Sequence, residues 1–104
     1  MQRYQMYING EQVESQSGKW FSVYDPSTEE VIAEVPEGNK EDVDLAVQAA
    51  RAAFDTGGWP QTTAQERGRL LFKLADRLRA EAPRLAELES RNSGKPIVRS
   101  EGVV

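Results

Sequence analysis

From Val43 onward the apolar residues recur at helical spacing, and before Pro36 they do not; this change of period constrains the fold more than any other feature of the chain. Val43, Ala46, Val47, Ala50 and Phe54 stand at i, i+3, i+4, i+7 and i+11, one stripe of a 3.6-residue repeat. Asn39 is the expected N-cap of this helix. Glu41 and Asp42 follow in the first turn, where the helix dipole favours negative charge, and Gly57-Gly58 mark the stop. Thr63-Ala64-Gln65-Glu66 has the capping-box form that opens a second helix, with Leu70, Leu71, Leu74, Ala75 and Leu78 as its expected buried face. Pro83 lacks an amide, so it either kinks this helix or starts another at the first position, where the missing amide is harmless; a new start is the expectation. Leu85 and Leu88 continue that third helix, and Asn92-Ser93-Gly94-Lys95-Pro96 closes it, with Gly94 as the left-handed cap.

The earlier part reads as short strands. Met6-Tyr7-Ile8 and Glu11-Gln12-Val13 flank Asn9-Gly10, whose tolerance of positive φ suits a type I′ hairpin turn. Trp20-Phe21-Ser22-Val23-Tyr24 is β-prone and ends at Asp25-Pro26-Ser27-Thr28, and Val31-Ile32-Ala33-Glu34-Val35 ends at Pro36. The chain alone is therefore expected to be α+β, with an N-terminal hairpin and short strands over about residues 5–35 and about three amphipathic helices over about 40–93. Its 104 residues fit one small domain and one modest core.

Composition removes several functions. There is no Cys and no His, so thiolate nucleophiles, imidazole bases and the usual transition-metal ligands are missing together. The lack of a disulfide framework suits an intracellular chain, here expected to be cytoplasmic. Thirteen basic against seventeen acidic residues leave a net charge of −4, which argues against nucleic acid and anionic membrane surfaces as partners. No run of about 20 apolar residues is present to span a bilayer.

The remaining motifs are weak carriers of chemistry. Glu29-Glu30 is an adjacent carboxylate pair whose members point apart, so a solvated turn fits better than acid/base cooperation. Gly57-Gly58 lacks the spacing of a phosphate-cradling loop. Gly94-Lys95-Pro96 has Pro where such a loop needs Ser or Thr, so a helix cap with an exposed Lys is expected. Arg67, Arg69, Lys73, Arg77, Arg79 and Arg84 alternate with Glu66, Asp76 and Glu81, the pattern of a solvated face rather than a polyanion site. Trp20, Phe21 and Tyr24 are expected in the core rather than stacking on a ligand.

The order of these segments is more specific than any one of them. Tyr7-Ile8-Asn9-Gly10-Glu11, then Phe21-Ser22-Val23-Tyr24-Asp25-Pro26-Ser27-Thr28, then Glu30-Val31-Ile32-Ala33-Glu34-Val35, resembles the N-terminal start of NAD(P)-dependent aldehyde dehydrogenases. Glu41-Asp42-Val43-Asp44, Ala49-Ala50-Arg51-Ala52-Ala53-Phe54, Trp59, Glu66-Arg67, Leu70-Leu71, Leu74-Ala75-Asp76, Leu88-Glu89-Ser90 and Gly94-Lys95-Pro96 continue the resemblance over nearly the whole chain. Asn92-Ser93 and Glu30 depart from it, the first where Asp followed by Asn or Thr is commoner, the second where a Gly is frequent.

The resemblance implies an α/β fold with a Rossmann-type cofactor domain in the intact family, of which residues 1–104 would be the N-terminal part, without the catalytic domain. For the complete enzyme it implies attack of a Cys on an aldehyde, hydride transfer to NAD or NADP, and release of a carboxylic acid. No catalytic or cofactor-binding residue of the family can be carried onto this chain, which is expected to be inactive by itself and to bind no dinucleotide. Backbone oxygens at Ser22 and Val23 match positions that hold a monovalent cation in some members. The expected partners are the remainder of the fold or identical subunits, as dimers or tetramers. A stand-alone interaction module, pairing with a separately encoded remainder or with full-length subunits, is the alternative.

Overall fold

A computed structural model of the chain describes residues 2–103. Their order is β1 (Gln2–Arg3), β2 (Met6–Ile8), β3 (Glu11–Val13), β4 (Trp20–Tyr24), β5 (Val31–Pro36), α1 (Lys40–Thr56), a 3-10 turn (Trp59–Gln61), α2 (Ala64–Ser93) and α3 (Ile97–Val103). This is the expected α+β pattern, with β1 and α3 added outside the expected limits. The described residues group into two compact units, 2–23 with 31–61 and 24–30 with 62–103.

In the first unit, β2 and β3 form the expected antiparallel hairpin, with Ile8 opposite Glu11 across the turn. Asn9 (φ 54°) and Gly10 (φ 79°) both take the positive φ that a type I′ turn requires. A separate sheet has the order β1-β5-β4, in which β1 runs parallel to β5 with Gln2 opposite Ala33. Pairing with Ala33–Glu34 draws Gln2–Arg3 into a strand that its own two polar residues do not announce. Arg3 is held by an ion pair to Glu34 (3.1 Å) and by its place over the Trp20 ring, 4.6 Å from the centroid.

Helix α1 starts at a full capping box. The Asn39 side chain accepts from the Asp42 amide (3.0 Å), and the Asp42 carboxylate accepts from the Asn39 amide (2.9 Å). The helix ends at Gly57, in extended rather than left-handed conformation.

In the second unit, α2 opens at the expected box, with Thr63 accepting from the Glu66 amide (3.1 Å) and Glu66 accepting from the Thr63 amide (3.1 Å). The helix then runs unbroken for 30 residues with Pro83 inside it, so the expected new start at Pro83 is incorrect. A proline in a helix interior leaves one carbonyl without its amide partner, and the turns on either side carry the helix across the gap. It closes at Gly94, left-handed at φ 76°, ψ 9°, whose amide donates to the Ser90 carbonyl (2.9 Å). Helix α3 packs back on α2, where the half-buried Ser90 hydroxyl meets the buried Ser100 hydroxyl at 2.8 Å. Before it, the turn from Asp25 to Glu30 places Glu29 at φ 61°. The conformation that favours Gly thus falls on Glu29, one residue ahead of the departure from the family pattern at Glu30.

Burial differs most from expectation. Ala33 and Ala86 are the buried apolar residues among those described, one in each unit. Leu70, Leu71, Leu74 and Leu78, the expected apolar face of α2, are exposed in this chain, with Leu71 at 59%, and the family resemblance implies that elements outside it cover them. Phe21 and Tyr24, expected in the core, are likewise exposed, and Trp20 is half-buried. Periodicity reports which face of an element is apolar; what covers that face depends on the surface opposite it.

Candidate functional site

The best-organised polar cluster lies in the first unit around Asp42, whose side chain is 3% exposed. The Ser15 hydroxyl donates to its Oδ2 (2.5 Å), the Gln16 amide to its Oδ1 (2.9 Å), and the Asn39 amide to Oδ2 (2.9 Å). Around it, the Ser17 hydroxyl donates to the Glu37 carbonyl (2.7 Å), and the Ser17 amide donates to the Ser15 hydroxyl (3.0 Å). The Ser15 hydroxyl, then the Gln16 amide, hold the Asp42 carboxyl below its ordinary value; burial works against them, and the Asn39 amide adds to the lowering. A carboxylate so occupied is a poor base. It ties residues 15–16 to the start of α1 and is structural rather than catalytic. Sequence reasoning singled out Asn39 and Asp42 but missed Ser15, whose role depends on a partner 27 residues away.

The remaining candidates resolve as supports. Ser22 is exposed and Val23 half-buried in the middle of β4. Their backbone oxygens are hard donors of the right kind for a monovalent cation. Among the described residues no three or more Asp or Glu side chains gather in a group that could hold a metal ion. Gly57 and Gly94 are helix caps, and neither starts a phosphate loop. Lys95, expected exposed, is half-buried and paired with Glu89 at 3.3 Å. On α2, Asp76 pairs with Arg79 (3.0 Å) and Glu81 with Arg84 (2.8 Å), as the alternating charges predict. The Arg84 hydrogen bond and charge hold the Glu81 carboxyl below its ordinary value. Glu29 and Glu30 are exposed in their turn.

What the chain presents to its surroundings is apolar surface. On α1, Val43 (60% exposed), Val47 (60%) and Phe54 (65%) form an open stripe. Next to it, Arg51 is fixed by a bidentate pair with Asp55 (3.0 and 2.8 Å) and lies 5.1 Å from the Phe54 ring. A groove of about 370 Å³ runs between the β2–β3 hairpin and α1, lined by Ile8, Val13, Leu45, Ala49 and Ala52 with polar groups at its rim. This geometry suits docking, not bond-making.

A family model described as the aldehyde dehydrogenase family matches residues 12–104. Aldehyde dehydrogenase, cytosolic 1, of Elephantulus edwardii is 52% identical over 91% of this chain and 19% of its own length. The mitochondrial aldehyde dehydrogenase family 2 member B4 of Arabidopsis thaliana is 50% identical over 92% of this chain and 18% of its own. A crystal structure of an NAD-dependent aldehyde dehydrogenase from Sinorhizobium meliloti superposes with a TM-score of 0.92 at 44% identity, covering 96% of this chain and 20% of that one. The chain thus spans about a fifth of the length of the relatives it matches. It belongs to the aldehyde dehydrogenase family as an N-terminal segment of the fold.

Proposed function

We propose that this chain is the supporting N-terminal part of an NAD(P)-dependent aldehyde dehydrogenase, and that the longer protein oxidises an aldehyde to a carboxylic acid. The observation that carries the reading is the open apolar stripe of α1, Val43, Val47 and Phe54, on a chain that has no Cys and no His. Such a stripe is a packing surface, and its role here is to cover and brace the part of the fold that holds substrate and cofactor. The cofactor, when bound, accepts hydride. These residues do not fit it, since their glycines cap helices and form no phosphate cradle.

The name of the Sinorhizobium meliloti relative supports NAD. That of the Elephantulus edwardii relative supports a cytoplasmic setting, whereas the Arabidopsis thaliana relative is named mitochondrial. The backbone oxygens of Ser22 and Val23 are proposed as two ligands of a monovalent cation in the longer protein, and identical subunits as its further partners. The test is nicotinamide reduction with NAD⁺ or NADP⁺ and a panel of aldehydes, by the 104-residue chain and by a longer protein that carries it. The longer protein should turn over and the chain alone should stay at blank. Turnover by the chain alone, or none by the longer protein, overturns the reading.

A further inference from the structure

The turn between β2 and β3 is made by Asn9 and Gly10, the one Asn-Gly pair of the chain. A bond from the Gly10 amide nitrogen to Cγ of Asn9 would complete a five-membered ring with the carbonyl carbon, Cα and Cβ of Asn9. Closing it brings that nitrogen round to the side of Cβ, which for an L-residue sets ψ to about −120°, the value at the first central residue of a type II′ turn, where φ is about +60°. Asn9 already stands at φ 54°. Passing from type I′ to type II′ is then close to a half-turn of one peptide plane, in which ψ of Asn9 and φ of Gly10 rotate in opposite senses and the strands stay in place. Gly10 can take either sign of φ, and a Cβ built on it would meet nothing within 4 Å, so the plane has room to turn. The ladder bonds of a two-residue hairpin lie between the flanking residues, here Ile8 and Glu11, and the flip breaks none of them.

The other two asparagines are placed differently. Asn39 caps α1 with its side chain accepting from the Asp42 amide, and Asn92 lies in the last turn of α2 before Ser93, which carries a side chain. We propose that Asn9 is a site of spontaneous deamidation in the folded chain, its side chain closing on the Gly10 amide nitrogen as the peptide between them flips. Hydroxide takes the Gly10 amide proton and the nitrogen attacks Cγ. The N–Cγ bond forms, the Cγ–Nδ2 bond breaks, and ammonia leaves with a proton returned from water, so nothing is oxidised or reduced. Water then opens the succinimide. Opening at Cγ gives an aspartyl residue; opening at the main-chain carbonyl gives an isoaspartyl residue, whose backbone runs through Cγ and is longer by one methylene. Either product adds one negative charge to the turn, and the isoaspartyl form no longer fits the two-residue loop that sets Ile8 opposite Glu11. The step lies within one unit and rests on the backbone of the turn, independent of the aldehyde dehydrogenase reading.

The test is to incubate the 104-residue chain in mildly alkaline buffer made with water enriched in heavy oxygen, and to map its peptides by mass spectrometry. Asn9 should lose ammonia and take up one heavy oxygen, divided between aspartyl and isoaspartyl forms, while Asn39 and Asn92 stay intact. A flip of one peptide exposes almost no surface, so the rate should stay level within about twofold as urea is raised below the unfolding transition. Asn9→Gly keeps a Gly-Gly pair suited to the same turn and should abolish the release of ammonia with the circular dichroism unchanged. Modification at Asn9 no faster than at Asn39 and Asn92, a rate that climbs with urea as the unfolded fraction does, or undiminished ammonia from Asn9→Gly overturns the proposal.

Discussion

Asp42 shows how much order one side chain can impose when every donor around it is already placed. Three hydrogen bonds from Ser15, Gln16 and Asn39 favour its charged form, so its carboxyl titrates below the ordinary value near 3.8. A depressed folded-state value gives stability that is fully present above the unfolded value and is lost as pH falls through the folded one. The wild-type chain should therefore be insensitive to this group near neutrality and lose stability below about pH 4. Asp42→Asn should be less stable at pH 7 and should flatten that acid limb, as read by urea midpoints against pH; an unchanged limb would remove Asp42 from the account. Glu29 is the converse case, a side chain in a backbone conformation it does not favour. Left-handed geometry costs an ordinary residue about 1–2 kcal/mol, and Gly gives back part of the gain through its looser unfolded state, so Glu29→Gly should stabilise by about 0.5–1 kcal/mol in urea unfolding. Asn39, Thr63 and Gly94 were legible in the sequence because a cap is made within four residues. The Ser15–Asp42 bond was not, because it is made across 27.

At the scale of elements, turn chemistry was the most readable signal and the apolar stripes located the helices. The Asn9-Gly10 hairpin, the stop at Gly57-Gly58 and the capping box at Thr63 all stand where local residue preferences put them. The error at Pro83 has a physical reason. A proline's missing amide is compatible with a first helical position and with an interior one that tolerates a gap, and only the surrounding turns decide between them. In α2 those turns extend 19 residues before Pro83 and 10 after it within the span Ala64–Ser93, enough to carry the helix through. Restoring the amide should then help. Pro83→Ala should raise stability by about 1–3 kcal/mol, a helix-interior gain reduced by the looser unfolded chain. A loss of stability on that substitution, measured by thermal or urea unfolding, would mean that the proline shapes a contact the helix needs. β1 and α3 lay outside the expected limits because Gln2–Arg3 depends on β5 for its pairing and α3 on α2 for its packing.

For the whole molecule the deciding quantity is how much apolar surface each unit covers by itself. One buried alanine in each unit, among the described residues, is a small return on two amphipathic helices. Each Val, Leu or Phe side chain fully removed from water is worth about 1.5–3 kcal/mol, so leaving Val43, Val47, Phe54, Leu70 and Leu74 largely exposed forgoes an amount comparable to the ~5–15 kcal/mol net stability of an ordinary domain. Phe54 offers the cleanest measurement of where that surface is meant to go. In this chain it is 65% exposed, so Phe54→Ala removes little buried area. It gives up a surface contact with Arg51 worth about 0.5–1 kcal/mol and gains about as much in helix propensity, so the net change should be near zero. In a longer protein that packs the α1 stripe against the rest of the fold, the same substitution should cost about 3–5 kcal/mol, the range for emptying a buried aromatic site. Urea unfolding of both proteins, with and without the substitution, measures the difference directly. Equal costs in the two would show that the stripe stays open in the longer protein as well, and that its role lies in contacts between molecules rather than within one.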